Sequence, residues 1–193
     1  MDGTAAAAPG DLRRRPRRSL AVLAVTAAVV VIVAVVAVLF ASGTPAKARG
    51  PLETAKNFRL PELGHPGKYV SLTAYAGRPV IINFFASWCA PCQRETPLLA
   101  SFYREHHGSV LIIGVDSNDE TGKALQFIRA KGVSYPIAFD GYPAPVTVSY
   151  GIAALPQTFM LNAKHQIVQH ISGDVTQHEL QAWASSLAGA GGT

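Results

Sequence analysis

The stretch of sequence that decides the fold is residues 77–97, GRPVIINFFASWCAPCQRETP. Its first part, Val80 to Phe85, is apolar on both faces except at Asn83, which is typical of a buried strand. Pro91 suits an early helical position because it has no backbone N–H to donate. The residues from Gln93 to His107 then continue as a helix. The sequence therefore predicts a central strand that leads almost directly into a helix.

Cys89 and Cys92 are the only cysteines of the chain, and they stand at the start of this helix. Residues i and i+3 share a helix face, close enough for a disulfide. A bridge that closes so small a ring removes little entropy from the unfolded chain, so it is a poor staple. As a zinc site the pair would supply only half of a tetrahedral shell. A reversible redox couple is the favoured interpretation.

The expected start of the helix assigns a role to each thiol. Ser87 is predicted to be the N-cap, which places Cys89 beside unpaired N–H groups and the positive end of the helix dipole. This setting lowers the pKa of a thiol below its free value of roughly 8.5. Cys92 lies one turn further in and is better shielded. We expect Cys89 to attack and Cys92 to resolve the mixed disulfide.

The N-terminal part of the chain predicts a membrane anchor. Residues 20–41 are apolar apart from Thr26 and are long enough to cross a bilayer. Five arginines precede this run, against Lys47 and Arg49 after it, which predicts a cytoplasmic N-terminus and an extracytoplasmic domain. An uncleaved signal anchor is favoured over cleavage at residues 46–48 or a twin-arginine signal. The expected segments are a basic cytoplasmic N-terminus (1–19), the transmembrane anchor (20–41), a tether (42–54), one folded domain (55–188) and a flexible tail (189–193).

The net charge of +5 comes from the segments around this anchor. From residue 51 onward the chain has ten basic and ten acidic side chains, histidine excluded. The exported part is therefore neutral, and it lacks the basic surface of a nucleic-acid-binding protein.

The remaining pattern indicates an α/β domain around a mixed sheet. Short strands are expected before residue 77, and the final helix is expected to begin with a capping box of Thr176 and Glu179. Further strands are expected at 110–116, 135–140, 158–161 and 167–172, with helices at 123–131, 146–150 and 176–187.

The stretch 77–97 does not stand alone. Asn57-Phe58 leads into Leu60-Pro61 upstream, and Tyr150-Gly151-Ile152 and Leu155-Pro156-Gln157-Thr158-Phe159 follow downstream. This set resembles the thioredoxin superfamily and, within it, the membrane-anchored, extracytoplasmic TlpA/ResA/CcmG (DsbE) group, over roughly residues 52–187. The resemblance implies a thioredoxin-like fold for residues 55–188, with a central mixed sheet flanked by helices. It also implies thiol–disulfide exchange through Cys89–Cys92, with no cofactor other than that disulfide.

The resemblance also implies supporting residues around the cysteines. Pro156 corresponds to a cis-proline opposite the disulfide, where the preceding backbone at Leu155 can pair with a substrate strand. Glu95 corresponds to a partly buried carboxyl that tunes the protonation of the cysteines, and a solvated helix carboxylate is the alternative.

Two further residues of the expected site are less specific. Asn83 stands where thioredoxins themselves carry a buried acid, so proton transfer would fall to Glu95 or to water; a hydrogen-bonded core amide is the alternative. Trp88 is expected to cover the edge of the disulfide, or else to serve packing alone.

The implied function is a reductant of exported proteins, for example one that keeps the haem-binding cysteines of apocytochrome c reduced during cytochrome c maturation. Electrons would come from a membrane thiol reductase of the CcdA or DsbD type. An oxidant that forms disulfides in exported proteins is the alternative. A thiol peroxidase would need a Thr-x-x-Cys setting, and a copper-binding module usually spaces its cysteines one residue wider, so both are less favoured. The histidines show no metal-cluster spacing.

Overall fold

The computed structural model describes residues 28–29, 31–33, 52–106 and 108–190. The strands are β1 (Arg59–Pro61), β2 (Tyr69–Ser71), β3 (Val80–Phe85), β4 (Leu111–Ser117), β5 (Ile137–Asp140), β6 (Gln157–Leu161) and β7 (Ile167–Ser172). The helices of the same region are α1 (Ala90–Glu105), α2 (Thr121–Ala130), α3 (Pro145–Ser149) and α4 (Gln177–Ala190), with a 3-10 turn at Leu72–Tyr75. β1 and β2 form a small antiparallel ribbon, and the other strands form one five-stranded sheet.

The strand order of the large sheet, β5-β4-β3-β6-β7, brings several loops to one edge. β3, β4 and β5 run parallel to each other, whereas β6 and β7 alternate in direction. The carboxyl ends of β3, β4 and β5 therefore meet the amino end of β6 at the same edge. Cys89 follows β3 there, and Pro156 directly precedes β6. We call this the disulfide edge: the residues that follow β3, β4 and β5 and precede β6.

Both faces of the sheet are covered, because every residue of β3 is buried. Alternation along β3 sends Ile81 and Phe85 to one face and Val80, Ile82 and Phe84 to the other. The first face packs against α1, α2 and α4 through Leu99, Phe102, Phe127, Leu180 and Trp183, and this core also contains Cys89 and Cys92. The second face packs against Phe58, Leu72 and Tyr150. Burial of each large apolar side chain contributes roughly 1.5–3 kcal/mol.

The predicted α/β architecture with a mixed sheet is confirmed, and β3 and β7 have the predicted bounds. The capping box is also confirmed, because the Thr176 N–H donates to Glu179 Oε2 (2.8 Å) and the Glu179 N–H donates to Thr176 Oγ1 (3.3 Å). The prediction that Ser87 caps α1 is wrong. The cap is Cys89, because both the N–H and the hydroxyl of Ser87 are taken by the carboxylate of Asp119.

The predicted membrane span at residues 20–41 lies outside the described residues, apart from 28–29 and 31–33, which are helical. The expected N-terminal segment 1–19, most of the tether and the last residues of the tail also lie outside them. No helix within the described part of the chain has the length and apolar character needed to cross a bilayer.

Candidate active site

A disulfide joins Cys89 to Cys92 at the first turn of α1, with 5.2 Å between the two Cα atoms. Cys89 is 5% exposed and Cys92 is fully buried. The two cysteines therefore differ in access, and Cys89 is the one of the two with exposed surface that another sulfur can approach. This asymmetry agrees with the expected order of attack and resolution.

The local geometry favours a thiolate at Cys89 after reduction. Cys89 is the N-cap of α1, with an extended backbone (φ −83°, ψ 107°), and its Sγ accepts from the Cys92 N–H at 3.3 Å. Pro91 lies in the first turn, as predicted, where the N–H that it lacks would have had no helical partner. An N–H donor and the positive end of the helix dipole both stabilise negative charge on this sulfur.

Glu95 lies one turn after Cys92 and is buried, with 3% of its surface exposed. Its Oε1 accepts from Asn83 Nδ2 at 2.8 Å, and its Oε2 accepts from the Val175 N–H at 2.8 Å. Asn83 Nδ2 also donates to Thr158 Oγ1 at 3.0 Å. The carboxyl is therefore held between β3, α1 and the loop before α4, and it is not the solvated helix carboxylate of the alternative.

The surroundings of Glu95 raise its pKa to about 7. Burial is the largest cause, because it disfavours the charged carboxylate, and the nearby charge of Asp174 adds to it. The hydrogen bonds from Val175 and Asn83 act in the opposite direction and are weaker. A carboxyl with this pKa exchanges its proton near neutral pH, as a general acid or base must.

Pro156 lies at the disulfide edge, and the Leu155–Pro156 peptide bond is cis. Gln157 fixes this loop: its Nε2 donates to the Ala154 carbonyl (3.0 Å) and to Ser172 Oγ (2.8 Å). The Oε1 of the same side chain pairs with His170 Nε2 at 2.7 Å. The Ala154 carbonyl is thereby linked to the Gln157 side chain of β6. The same side chain is bonded to Ser172 and His170 of β7.

Trp88 is 60% exposed, and its Nε1 donates to the carbonyl of Asn118 at 3.2 Å. A groove of about 450 Å³ begins at this ring and continues past α3 to the loop before Pro156. Apolar side chains dominate its wall, among them Trp88, Tyr142, Val148, Ile152 and Leu155. The structure thus brings Leu155 and Trp88 to one groove beside the disulfide.

Several residues of this region were not predicted from the sequence. Thr158 is the second acceptor for Asn83 Nδ2, and Asp116 and Asp119 lie where β4 ends. Asp116 had a signal in the sequence, because a charged residue inside the otherwise buried run 111–117 needs an explanation. Within the described residues, no three His, Cys, Asp or Glu side chains are arranged to hold a metal ion.

Comparison with known proteins agrees with this geometry. The model of the Redoxin family matches residues 52–186. The chain belongs to the Redoxin family. Among the relatives of this redoxin, the thiol-disulfide oxidoreductase ResA of Bacillus thuringiensis is 30% identical over 135 residues, which cover 69% of the chain and 76% of the relative. The ResA of Halalkalibacterium halodurans is 33% identical over 130 residues, which cover 67% of the chain and 72% of the relative.

A solved structure carries the same likeness. StoA from Bacillus subtilis superimposes with a TM-score of 0.56 at 28% identity, and the match covers 67% of this redoxin and 97% of StoA. With its Cys-x-x-Cys pair in a thioredoxin-like fold, this redoxin is a thiol–disulfide oxidoreductase of the ResA type.

Proposed function

We propose that this redoxin is tethered to the membrane, works outside the cytoplasm, and reduces disulfides in exported proteins such as apocytochrome c. The observation that carries the proposal is the Cys89–Cys92 disulfide at the start of α1, with the buried carboxyl of Glu95 one turn later. The resemblance to the TlpA/ResA/CcmG group favours the reductant direction. A membrane thiol reductase of the CcdA or DsbD type would return electrons to the pair.

The exchange step follows from the placement of the two sulfurs. In the reduced protein the Cys89 thiolate attacks a disulfide sulfur of the substrate, one substrate thiolate leaves, and a mixed disulfide forms. Cys92 then loses its proton and attacks Cys89 Sγ, which releases the second substrate thiolate and restores the Cys89–Cys92 disulfide. Glu95 is the group we assign to accept the Cys92 proton, because its pKa of about 7 lies in the working range.

Substrate backbone is assigned to the loop before Pro156. Leu155 precedes the cis peptide and lies on the groove that starts at Trp88. An extended substrate segment beside Leu155 would present its cysteine to Cys89, and Trp88 would contact the neighbouring side chains.

The redox potential of the Cys89–Cys92 pair tests the direction of electron flow. A reductant requires a potential below roughly −230 mV, whereas a strong oxidant lies near about −120 mV. The pair is equilibrated with glutathione or dithiothreitol buffers and the oxidised fraction is read by thiol alkylation. The Cys89→Ser/Cys92→Ser variant is the blank, since it has no couple. A potential near that of a strong oxidant would contradict the reductant role and support the alternative, an oxidant that forms disulfides in exported proteins.

The location is tested with the same two cysteines, because the chain has no others. Intact cells that express the full chain are treated with a membrane-impermeant reductant and then with an impermeant maleimide. The proposal expects Cys89 to be labelled in intact cells and the chain to stay in the membrane fraction. Labelling that occurs only after lysis would place the domain in the cytoplasm and contradict the proposal.

A further inference from the structure

Asp116 is completely buried at the end of β4, and neither of its carboxyl oxygens receives a hydrogen bond. It lies opposite Phe85 of β3. Alternation along β4 places its side chain on the face that packs against α1, the face that also holds Cys89. A buried carboxylate without donors is strongly disfavoured, whereas a protonated carboxyl needs only one acceptor.

Asp119 is the acceptor we assign, because its carboxyl raises the pKa of Asp116 both by its charge and by a hydrogen bond between the two side chains. Asp119 already accepts from the N–H of Ser87 (2.5 Å), the hydroxyl of Ser87 (3.0 Å) and the N–H of Glu120 (2.7 Å). Asp119 thus has three donors and Asp116 has none, so Asp116 is the carboxyl of the pair that needs a proton to form a hydrogen bond. Burial, together with the negative charges of Asp119 and Asp140 and the hydrogen bond to Asp119, raises the pKa of Asp116 to about 8.

The same loop holds the turn that leads to Cys89 at two points. Asp119 binds both polar groups of Ser87, and the carbonyl of Asn118 accepts from the Trp88 ring. Asn118 has a φ of +52°, a left-handed conformation that asparagine tolerates better than most residues. The positions of Ser87 and Trp88 therefore depend on the position of the Asp119 side chain. Because these two residues directly precede Cys89, access of a substrate to Cys89 depends on it as well.

We propose that Asp116 is a positioning residue for the redox site: its proton bridges to Asp119, which holds the Ser87–Trp88 turn, and loss of this proton releases the turn. Ionisation would place two negative charges side by side in a buried site. Asp119 is the partner that can move, since it belongs to a loop. When it moves away, Ser87 loses both hydrogen bonds to Asp119 and keeps the one that its carbonyl accepts from Gln93 Nε2 (2.7 Å). The inference concerns the exchange chemistry itself, so it is independent of the direction of electron flow.

The other charged groups around the pair are few. Asp140, at the end of β5, is bound by the N–H groups of Val146 and Thr147 and by the Thr147 hydroxyl. Glu120 and Lys123, at the start of α2, pair with each other at 2.7 Å. β3 contributes no charge on this face, and α1 contributes Glu95, whose pKa is about 7. In the oxidised protein the two cysteines do not titrate.

The test follows Trp88 in the oxidised full chain. The background variant Trp183→Phe leaves Trp88 as the one tryptophan, since the chain has two. Its fluorescence is recorded from about pH 5 to pH 10. We expect a transition with a midpoint near pH 8, which is lost in Asp116→Asn, because asparagine can still donate to Asp119 but does not ionise. In Asp119→Asn the transition should shift to lower pH, because one negative neighbour is gone.

Glu95→Gln separates this transition from the titration of Glu95, and it should leave the midpoint near pH 8. Absence of the transition in the background variant would overturn the proposal, as would its persistence in Asp116→Asn. If Asp116→Asn does not fold, the test rests on Asp119→Asn. A midpoint that stays near pH 8 in Asp119→Asn would also overturn the proposal.

Reactivity gives a second readout that a merely structural role would not move. The oxidised protein is reduced by dithiothreitol, and the rate constant is expressed per dithiothreitol thiolate so that the reagent's own titration is removed. We expect a change of at least about twofold across pH 8 in the native chain and no such step in Asp116→Asn. A variant that merely loosens the core would keep the step.

Discussion

A carboxyl beside a disulfide serves proton transfer only if it can both hold and release a proton near neutral pH. Glu95 meets this condition through three features of its surroundings. Burial disfavours its charge, while the Asn83 amide and the Val175 N–H keep both oxygens oriented. Asn83 supports the carboxyl without titrating itself, so Glu95 is the titratable member of this hydrogen-bonded pair.

Replacement of Glu95 by Gln should remove the proton acceptor with little change of shape. We expect the rate of insulin-disulfide reduction at pH 7 to fall by at least about tenfold, since general acid–base catalysis typically contributes 10²–10⁴-fold. The pH dependence between about 6 and 8 should flatten at the same time. Insulin-disulfide reduction by the native chain and by Glu95→Gln across that pH range measures both effects. An unchanged rate with an unchanged profile would exclude Glu95 from proton transfer.

The two cysteines should give opposite phenotypes, because Cys89 alone has surface from which a second sulfur can approach. Cys89→Ser should abolish insulin-disulfide reduction. Cys92→Ser should retain attack and accumulate mixed disulfides with protein partners, which non-reducing electrophoresis detects. Activity that survives the loss of Cys89, or adducts that form through Cys92, would contradict the assigned order.

At the scale of elements, Gly114 lets β4 pass close beneath its neighbours. A Cβ at this position would lie 2.5 Å from Ile137 Cδ1 and 2.9 Å from Phe85 Cε1. We therefore expect Gly114→Ala to lower the free energy of unfolding by about 1–3 kcal/mol through overpacking. Urea denaturation of the oxidised native chain and of the oxidised Gly114→Ala variant measures this difference in the free energy of unfolding.

Gly122 of α2 is the matched control, because a Cβ there meets nothing within 4 Å and α2 is a regular helix. Gly122→Ala should be neutral or stabilise the protein by up to about 1 kcal/mol. Equal effects of the two substitutions would show that β4 is not tightly packed at Gly114.

The elements themselves could largely be predicted from the sequence, because β3 is apolar on both faces except at Asn83 and the capping box of α4 is local. The N-cap of α1 could not be predicted in this way. Ser87 has the side chain of an N-cap, but its partner Asp119 lies 32 residues away in a loop that only the sheet topology brings near. For the same reason the link between Glu95 and Val175, 80 residues apart, could not be derived from spacing. Local signals predicted the elements, and the long-range polar contacts needed the structure.

At the scale of the whole molecule, the domain buries two carboxyls that keep their protons near neutral pH. Glu95 lies under the disulfide on one side of the edge, and Asp116 lies at the end of the neighbouring strand. Each raised pKa means that the folded protein holds a proton more tightly than the unfolded chain does, so folding and protonation are coupled. The two buried carboxyls near the disulfide therefore also make the stability of the folded protein depend on pH.

The sign of that dependence follows from the two pKa values. Below about pH 3 both carboxyls are protonated in the folded and unfolded states, and their contribution to stability is fully present. As the pH rises, the unfolded chain releases its protons first, near the ordinary values of 4.5 and 3.8. The folded protein releases them only near 7 and 8, so the free energy of unfolding should fall over this window.

For Glu95 alone the loss amounts to about 3 kcal/mol, because each pKa unit corresponds to about 1.4 kcal/mol. We expect urea midpoints of the oxidised protein to decrease from about pH 4 to about pH 8. The double variant Glu95→Gln/Asp116→Asn removes both titrations and should give a flatter curve, and Glu105→Gln, at an exposed position of α1, is a control that keeps both buried carboxyls. Parallel curves for the native chain and the double variant would show that these carboxyls do not govern the pH dependence of stability.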